Sequence, residues 1–190
     1  MSMIRQGLNI TGKVIRSMSG LTRHRFSEKL ECALNKQINM ELEASYIYLS
    51  MAFHYDRADV ALKGMYNYFK KASDEERDHA MKFMTYLNKR GGKLVLDNIN
   101  KPENSEWDNL EKTMTYALDL EKKVTDSLLE MHALASSEND ADLADFLDSE
   151  MIKEQYEAIK EIGELITNIR RCGNGLGEFM FDKSMDDGTK

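Results

Sequence analysis

"ASDEERDHAMKFM" occupies residues 72–84, and the direction in which two of its side chains point decides the fold. Glu76 and His79 stand three apart, so on a helix they share a face. Read outward, Leu62, Met65, Phe69, Ala72, Glu76, His79, Phe83 and Tyr86 recur at steps of three and four. That period marks the buried stripe of an amphipathic helix. An acid and an imidazole therefore lie on the apolar face, where each needs a partner.

The same period recurs along the chain. A first helix is expected from about Ser27 to Tyr55, with Leu30, Leu34, Gln37, Glu41, Ala44, Tyr48, Met51 and Tyr55 on its stripe. The second runs from about Ala61 to Arg90 and stops at "RGG", with Gly91 as its cap. A third, from about Leu110 to Ala135, carries Leu110, Met114, Ala117, Glu121, Val124, Leu128, Met131 and Ala135. A fourth, from about Ala141 to Arg171, carries Ala144, Leu147, Met151, Gln155, Ala158, Ile162, Leu165 and Ile169. "CGNGLG" ends it, and "EFMFDKSM" suits a short fifth helix. No strand pattern of any length interrupts these stripes.

The fold class is therefore all-α. Helices of this size are about 40 Å long at 1.5 Å per residue, and one apolar stripe on each makes a bundle. Short connections make antiparallel hairpins of helices one and two and of three and four. The linker "GGKLVLDNINKPENSEWDN" reaches on the order of 60 Å when extended, enough to cross the bundle from end to end. Residues 27–190 form the bundle domain, and residues 1–26 a separate N-terminal extension.

A polar residue sits at the middle of every stripe: Glu41, Glu76 with His79, Glu121 and Gln155. Midpoints meet at one level whatever the helix direction. Three bare carboxylates in a dry interior cost several kcal/mol each, so protons or cations must neutralise them. Oxygen ligands with one imidazole suit Fe(II) or Mn(II), and three carboxylates carry charge enough for two divalent ions. Tyr48 is two turns from Glu41 on the same face and reaches the centre. Only one Glu-x-x-His is present, so the half built from Glu121 and Gln155 is poorer in strong ligands. One tight and one weak position would let oxidised iron leave.

Composition narrows the remaining classes. Of 190 residues, 31% are charged, the formal net charge is −7 and there is a single proline. A negative chain disfavours nucleic acid and favours cations. Cys32 and Cys172 have neither metal-ligand nor disulfide spacing, which suits a reducing compartment. No apolar run is long enough for a membrane span. Residues 1–27 contain no acid but include Arg5, Lys13, Arg16, Arg23 and Arg25. Such a segment reads as a basic, disordered tail of a cytoplasmic protein, with a cleaved mitochondrial transit peptide as the alternative.

Five segments carry a resemblance to a known family: "NKQINMELEASYIYLSMAFHYDRADVALKG", "DEERDHAMKFMTYLNKRGGK", "LDLEKKVTDSLLEMHALA", "EQYEAIKEIGELITNIR" and "FMFDKS". In order and spacing they resemble ferritin, specifically an animal heavy-chain-type subunit. The resemblance implies a four-helix bundle with a long crossover and a short fifth helix, assembled into a hollow shell of 24 subunits that stores ferric mineral. It implies a dinuclear iron centre. Glu41, Glu76 and His79 match the ligands of the first iron position, Glu76 also the bridge, and Glu121 the ligand of the second. Gln155, Tyr48 and Glu75 match the residues around them. Two Fe(II) would bind, O2 would take electrons from both, and ferric product would move to the cavity.

The resemblance also implies that Asp145 and Asp148 line a cation channel on the three-fold axis, where the family's usual second residue is Glu. Asp74, Glu75 and Asp78 would face the cavity. The turn "CGNGLG" is shorter than in animal ferritins, which re-aims the short helix. A storage-only subunit would lack the carboxylate set. A reductase- or rubrerythrin-type oxidoreductase would carry a second Glu-x-x-His or a cysteine iron site. A helical interaction module would have no acids at its core midpoint.

Overall fold

The helices begin where something accepts from their first amides. The computed structural model describes residues 21–187 apart from 105 and 108. Ser27 caps α1 (Glu28–Tyr55), its hydroxyl accepting from the Leu30 N–H at 3.3 Å, and Glu28 and Glu31 stand at the positive end of the helix dipole. Asn109 caps α3 (Leu110–Ser137) through the Lys112 N–H at 2.9 Å. Asp140 caps α4 (Ala141–Leu147) through the Leu143 N–H at 3.1 Å.

The second helix, α2 (Lys63–Lys89), has no capping side chain of its own, because Leu62 precedes it. It begins at Lys63 rather than Ala61 because Ala61 takes a positive φ of 54°, outside the helical region. Its cap arrives from the far end of the chain. Asp182, in α6 (Leu176–Asp187), accepts from the Met65 N–H at 2.8 Å. Gly64 makes this approach feasible, since a Cβ there would lie 2.1 Å from the Asp182 carbonyl oxygen.

The expected uninterrupted fourth helix is corrected in one respect. α4 passes through a π-helical turn, Asp148–Ile152, into α5 (Lys153–Cys172), with helical backbone at every junction. Met151 and Ile152, within the widened turn, are both buried. α5 ends at Gly173, whose φ of 67° suits glycine. α6 follows at once. A Cβ on Gly177 would lie 1.8 Å from the Cys172 carbonyl oxygen, so the short turn requires glycine there.

The four rods bury two apolar clusters, one toward each end. One gathers Leu30, Leu34, Ile38, Phe83, Val124, Leu128 and Leu147. The other gathers Ile47, Met51, Phe69, Met114, Ala117, Ile162 and Phe181. Along α1 the order is Ile38, Glu41, Ile47; along α2, Phe69, Glu76, Phe83; along α3, Ala117, Glu121, Val124; and from the π turn into α5, Ile152, Gln155, Ile162. The polar residues form a waist between the clusters. The bundle is all-helical, with no strand among the described residues.

That order also shows that α2 and α3 run the same way, so the linker between them must travel the length of the bundle. It does so along α1. The Lys93 N–H donates to the Glu31 carboxylate at 2.7 Å and the Val95 N–H to Asn35 Oδ1 at 2.7 Å. Further along, the Asn39 amide donates to the Asn98 carbonyl at 3.3 Å and the Trp107 N–H to His54 Nδ1 at 3.3 Å. α6 packs across α2 and α5, with Phe181 in the core.

Residues 1–20, and with them most of the expected N-terminal extension and its targeting segment, lie outside the described residues. The last residues before Ser27 pack on the bundle: Phe26 is buried and Arg23 pairs with Glu31. Among the described residues, no helix is long and apolar enough to cross a membrane. Cys32 and Cys172 are exposed and unbridged.

Candidate metal centre

Of the waist residues, Glu41, Glu76, Glu121 and Gln155 are buried, and Tyr48 is buried beside them. Among the described residues, Glu41, Glu76 and His79 are the one group of potential ligands whose atoms come within 4.8 Å of one another. α1 supplies the first and α2 the other two. His79 Nδ1 is 3.5 Å from a Glu76 oxygen. His79 itself lies at the edge of the core face and not within it, because Ser73 and Ala80 take the fully buried positions on either side of Glu76. Steps of three fall short of a 3.6-residue turn and walk toward the flank.

The two glutamates are unevenly satisfied. Glu41 Oε1 accepts from the Gln37 amide at 2.8 Å. Glu41 Oε2 and Glu76 Oε2 are buried and meet no donor. Burial raises the Glu41 pKa well above the ordinary carboxylate range, and the neighbouring Glu76 raises it further. Burial raises Glu76 too, with the Glu121 charge adding to it. A cation between these oxygens would remove both penalties and displace any proton held there.

The α3 and α5 side is built differently. Tyr48 donates its hydroxyl to one oxygen of Glu121, and Gln155 donates its amide to the other at 2.8 Å. Burial, then the Glu121 charge, raises the Tyr48 pKa, so this hydroxyl keeps its proton to donate. Tyr48 stacks on Phe69 with ring centroids 6.1 Å apart, which holds its ring in place.

A cleft of about 660 Å³ opens from the waist to solvent and reaches Glu76, His79, Glu121 and Gln155. Its rim is mostly acidic, with Glu75, Asp78, Glu157 and Glu161 against Lys71 and Lys82. Glu75 is exposed on this rim and pairs with Lys71 at 3.1 Å, so it stands beside the buried group and not within it. Asp74 is exposed and pairs with Lys70. Asp145 and Asp148 are exposed on α4 and the π turn, outside this cluster, and Asp148 lies 3.2 Å from His132 Nε2.

Three residues that hydrogen-bond within or beside this cluster were missed as such in the sequence. Gln37 stands one turn before Glu41 on the same stripe, a spacing that could have pointed to it. Ser127 donates to Gln37 Oε1 at 2.6 Å, and Glu154 accepts from His79 Nε2 at 3.1 Å. Both come from distant helices, and no local pattern announces them. A proton on Nε2 directed at Glu154 leaves the Nδ1 lone pair facing Glu76.

Comparison with known proteins agrees with the helical bundle. Residues 31–172 match the family described as "Ferritin-like domain". The chain is 52% identical to soma ferritin of Lymnaea stagnalis over 161 residues, covering 85% of this chain and 92% of that one. It is 49% identical to the ferritin middle subunit of Aquarana catesbeiana over 169 residues, covering 87% and 96%. With the ferritin-1 heavy chain of Schistosoma mansoni it shares 48% over 163 residues, covering 86% and 94%.

Proposed function

We propose, since this chain belongs to the ferritin family, that it stores iron and oxidises Fe(II) with O2 at a dinuclear centre in the waist of its bundle. One observation carries the reading: Glu41 and Glu76, each with a buried oxygen that meets no donor, offer ligand atoms that come within 4.8 Å of one another and of His79. Buried acceptors without partners are rare in native cores, and a cation is the partner this donor set suits.

In this reading Glu41, Glu76 and His79 hold the first Fe(II), with Nδ1 as the imidazole ligand. Glu76 bridges to a second Fe(II) at Glu121, and Gln155, Tyr48 and Glu75 stand around it. Each iron would give one electron to O2, which with two protons becomes hydrogen peroxide, and the ferric product would leave toward a mineral core. The second position is the weaker one, because a metal there must displace the Tyr48 and Gln155 hydrogen bonds that already engage both Glu121 oxygens. The acidic rim raises the local cation concentration at the mouth of the cleft.

The wider assignments rest on the family. The subunits close into a 24-subunit shell, of this chain alone or mixed with other ferritin subunits. Asp145 and Asp148, both exposed, line the channel on its three-fold axis. The compartment is the cytoplasm, with the mitochondrion as the alternative that residues 1–26 would specify. The test is aerobic Fe(II) oxidation by the apoprotein beside the double variant Glu76→Ala, His79→Ala. Fast oxidation by the wild type and an uncatalysed rate in the variant are expected. Equal, slow rates in both would reduce the protein to a container.

A further inference from the structure

Glu41 reaches the cluster with only one oxygen free, and the reason lies in a chain of side chains that crosses from α3 to α1. Ser127 Oγ donates to Gln37 Oε1 at 2.6 Å, and Gln37 Nε2 donates to Glu41 Oε1 at 2.8 Å. Gln37 and Glu41 are 1% and 0% exposed, so neither can turn to water instead.

In the ionised form that a metal requires, a Glu41 oxygen only accepts, so the Gln37 amide presents its NH2 group to Glu41. Its carbonyl then faces Ser127, whose hydroxyl must donate. The amide is thereby held in one of its two flip states. Glu41 Oε1 is held with it, and Oε2 is the oxygen left without a donor.

We infer that Gln37, braced by Ser127, is a positioning residue that holds Glu41 toward the first metal. The inference rests on the metal-centre reading above. Without Ser127, the buried Gln37 carbonyl loses its partner and the amide is held from the Glu41 side alone, so Gln37 and the carboxylate it holds can rotate together. Gln37 touches no metal and acts through Glu41 alone. Ser127 is only half-buried and lines a groove open to solvent beside Cys32 and Lys36, so changes there do not disturb the packed core.

The probe is Co(II), titrated calorimetrically and by visible absorption into the assembled apoprotein. Ser127→Ala should weaken the tighter site about 10-fold, the usual cost of losing a residue that orients a ligand, and leave the weaker site unchanged. Ser127→Thr, which keeps the hydroxyl, should restore wild-type affinity. Gln37→Leu should weaken the tighter site by about 10- to 100-fold.

Wild-type affinity in Ser127→Ala, or equal loss at both sites, overturns the inference. Equal loss in Ser127→Thr does so as well, since that would make the effect one of packing. The double variant Glu41→Gln, Glu76→Gln separates the two levels. If it binds Co(II) as tightly as wild type, the metal-centre reading fails, whatever Ser127 does.

Discussion

The two sides of the waist use the same residue type to opposite ends. On the α1 and α2 side, Glu41 and Glu76 each keep a buried oxygen without a donor. On the α3 and α5 side, both oxygens of Glu121 are met, by Tyr48 and by Gln155. All three glutamates are buried to a similar degree. What separates them is whether the surroundings complete their hydrogen bonding. Where they do, the carboxylate is part of the core; where they do not, the core is unfinished until a cation or proton arrives.

Opposite truncations should therefore have opposite signs. Glu121→Leu strands the Tyr48 hydroxyl and the Gln155 amide, and should cost the apoprotein about 3 kcal/mol in guanidinium unfolding. A change near zero would mean that neither bond matters to the fold. Next in size, Co(II) at 100 times its Kd should add about 2.7 kcal/mol to wild-type stability and nothing to the double variant Glu41→Gln, Glu76→Gln. Equal stabilisation of both would place the ion elsewhere.

Glu76→Leu should raise apoprotein stability by about 2 kcal/mol, because it removes an unsatisfied buried carboxyl and replaces it with a group the waist can pack. Destabilisation would show that Glu76 is already satisfied without metal. The most gradual effect is in pH. Glu41 and Glu76 have folded pKa values above the ordinary 4.5, so the folded apoprotein holds more protons than the unfolded chain. The contribution of these two carboxyls to stability is then greatest below pH 4.5 and is lost as pH rises through their folded values, by at most about 1.4 kcal/mol per unit for each. Glu76→Gln should flatten that slope, and an unchanged slope would assign it to other groups.

The waist itself, though not the contrast across it, was largely legible in one dimension. The stripes of α1, α2 and α3 and the placing of Glu41, Glu76, Glu121 and Gln155 at their midpoints follow from periodicity, because helical geometry turns spacing into a face. The edge position of His79 was legible less well, since a step of three puts a residue near a face without saying how far round it lies. The capping of α2 by Asp182 was not legible at all, because the donor and acceptor lie at opposite ends of the domain.

The sequence by itself determined that this chain forms a helical bundle with acids at its centre, and that its second half is short of strong ligands. Those are properties of local spacing and composition. Only the tertiary structure decided which acids are left unsatisfied. Ser127, Tyr48, Glu154 and Gln155 each reach their partners from another helix. Hydrogen bonds act over about 3 Å, and only the packed fold brings residues from separate helices that close.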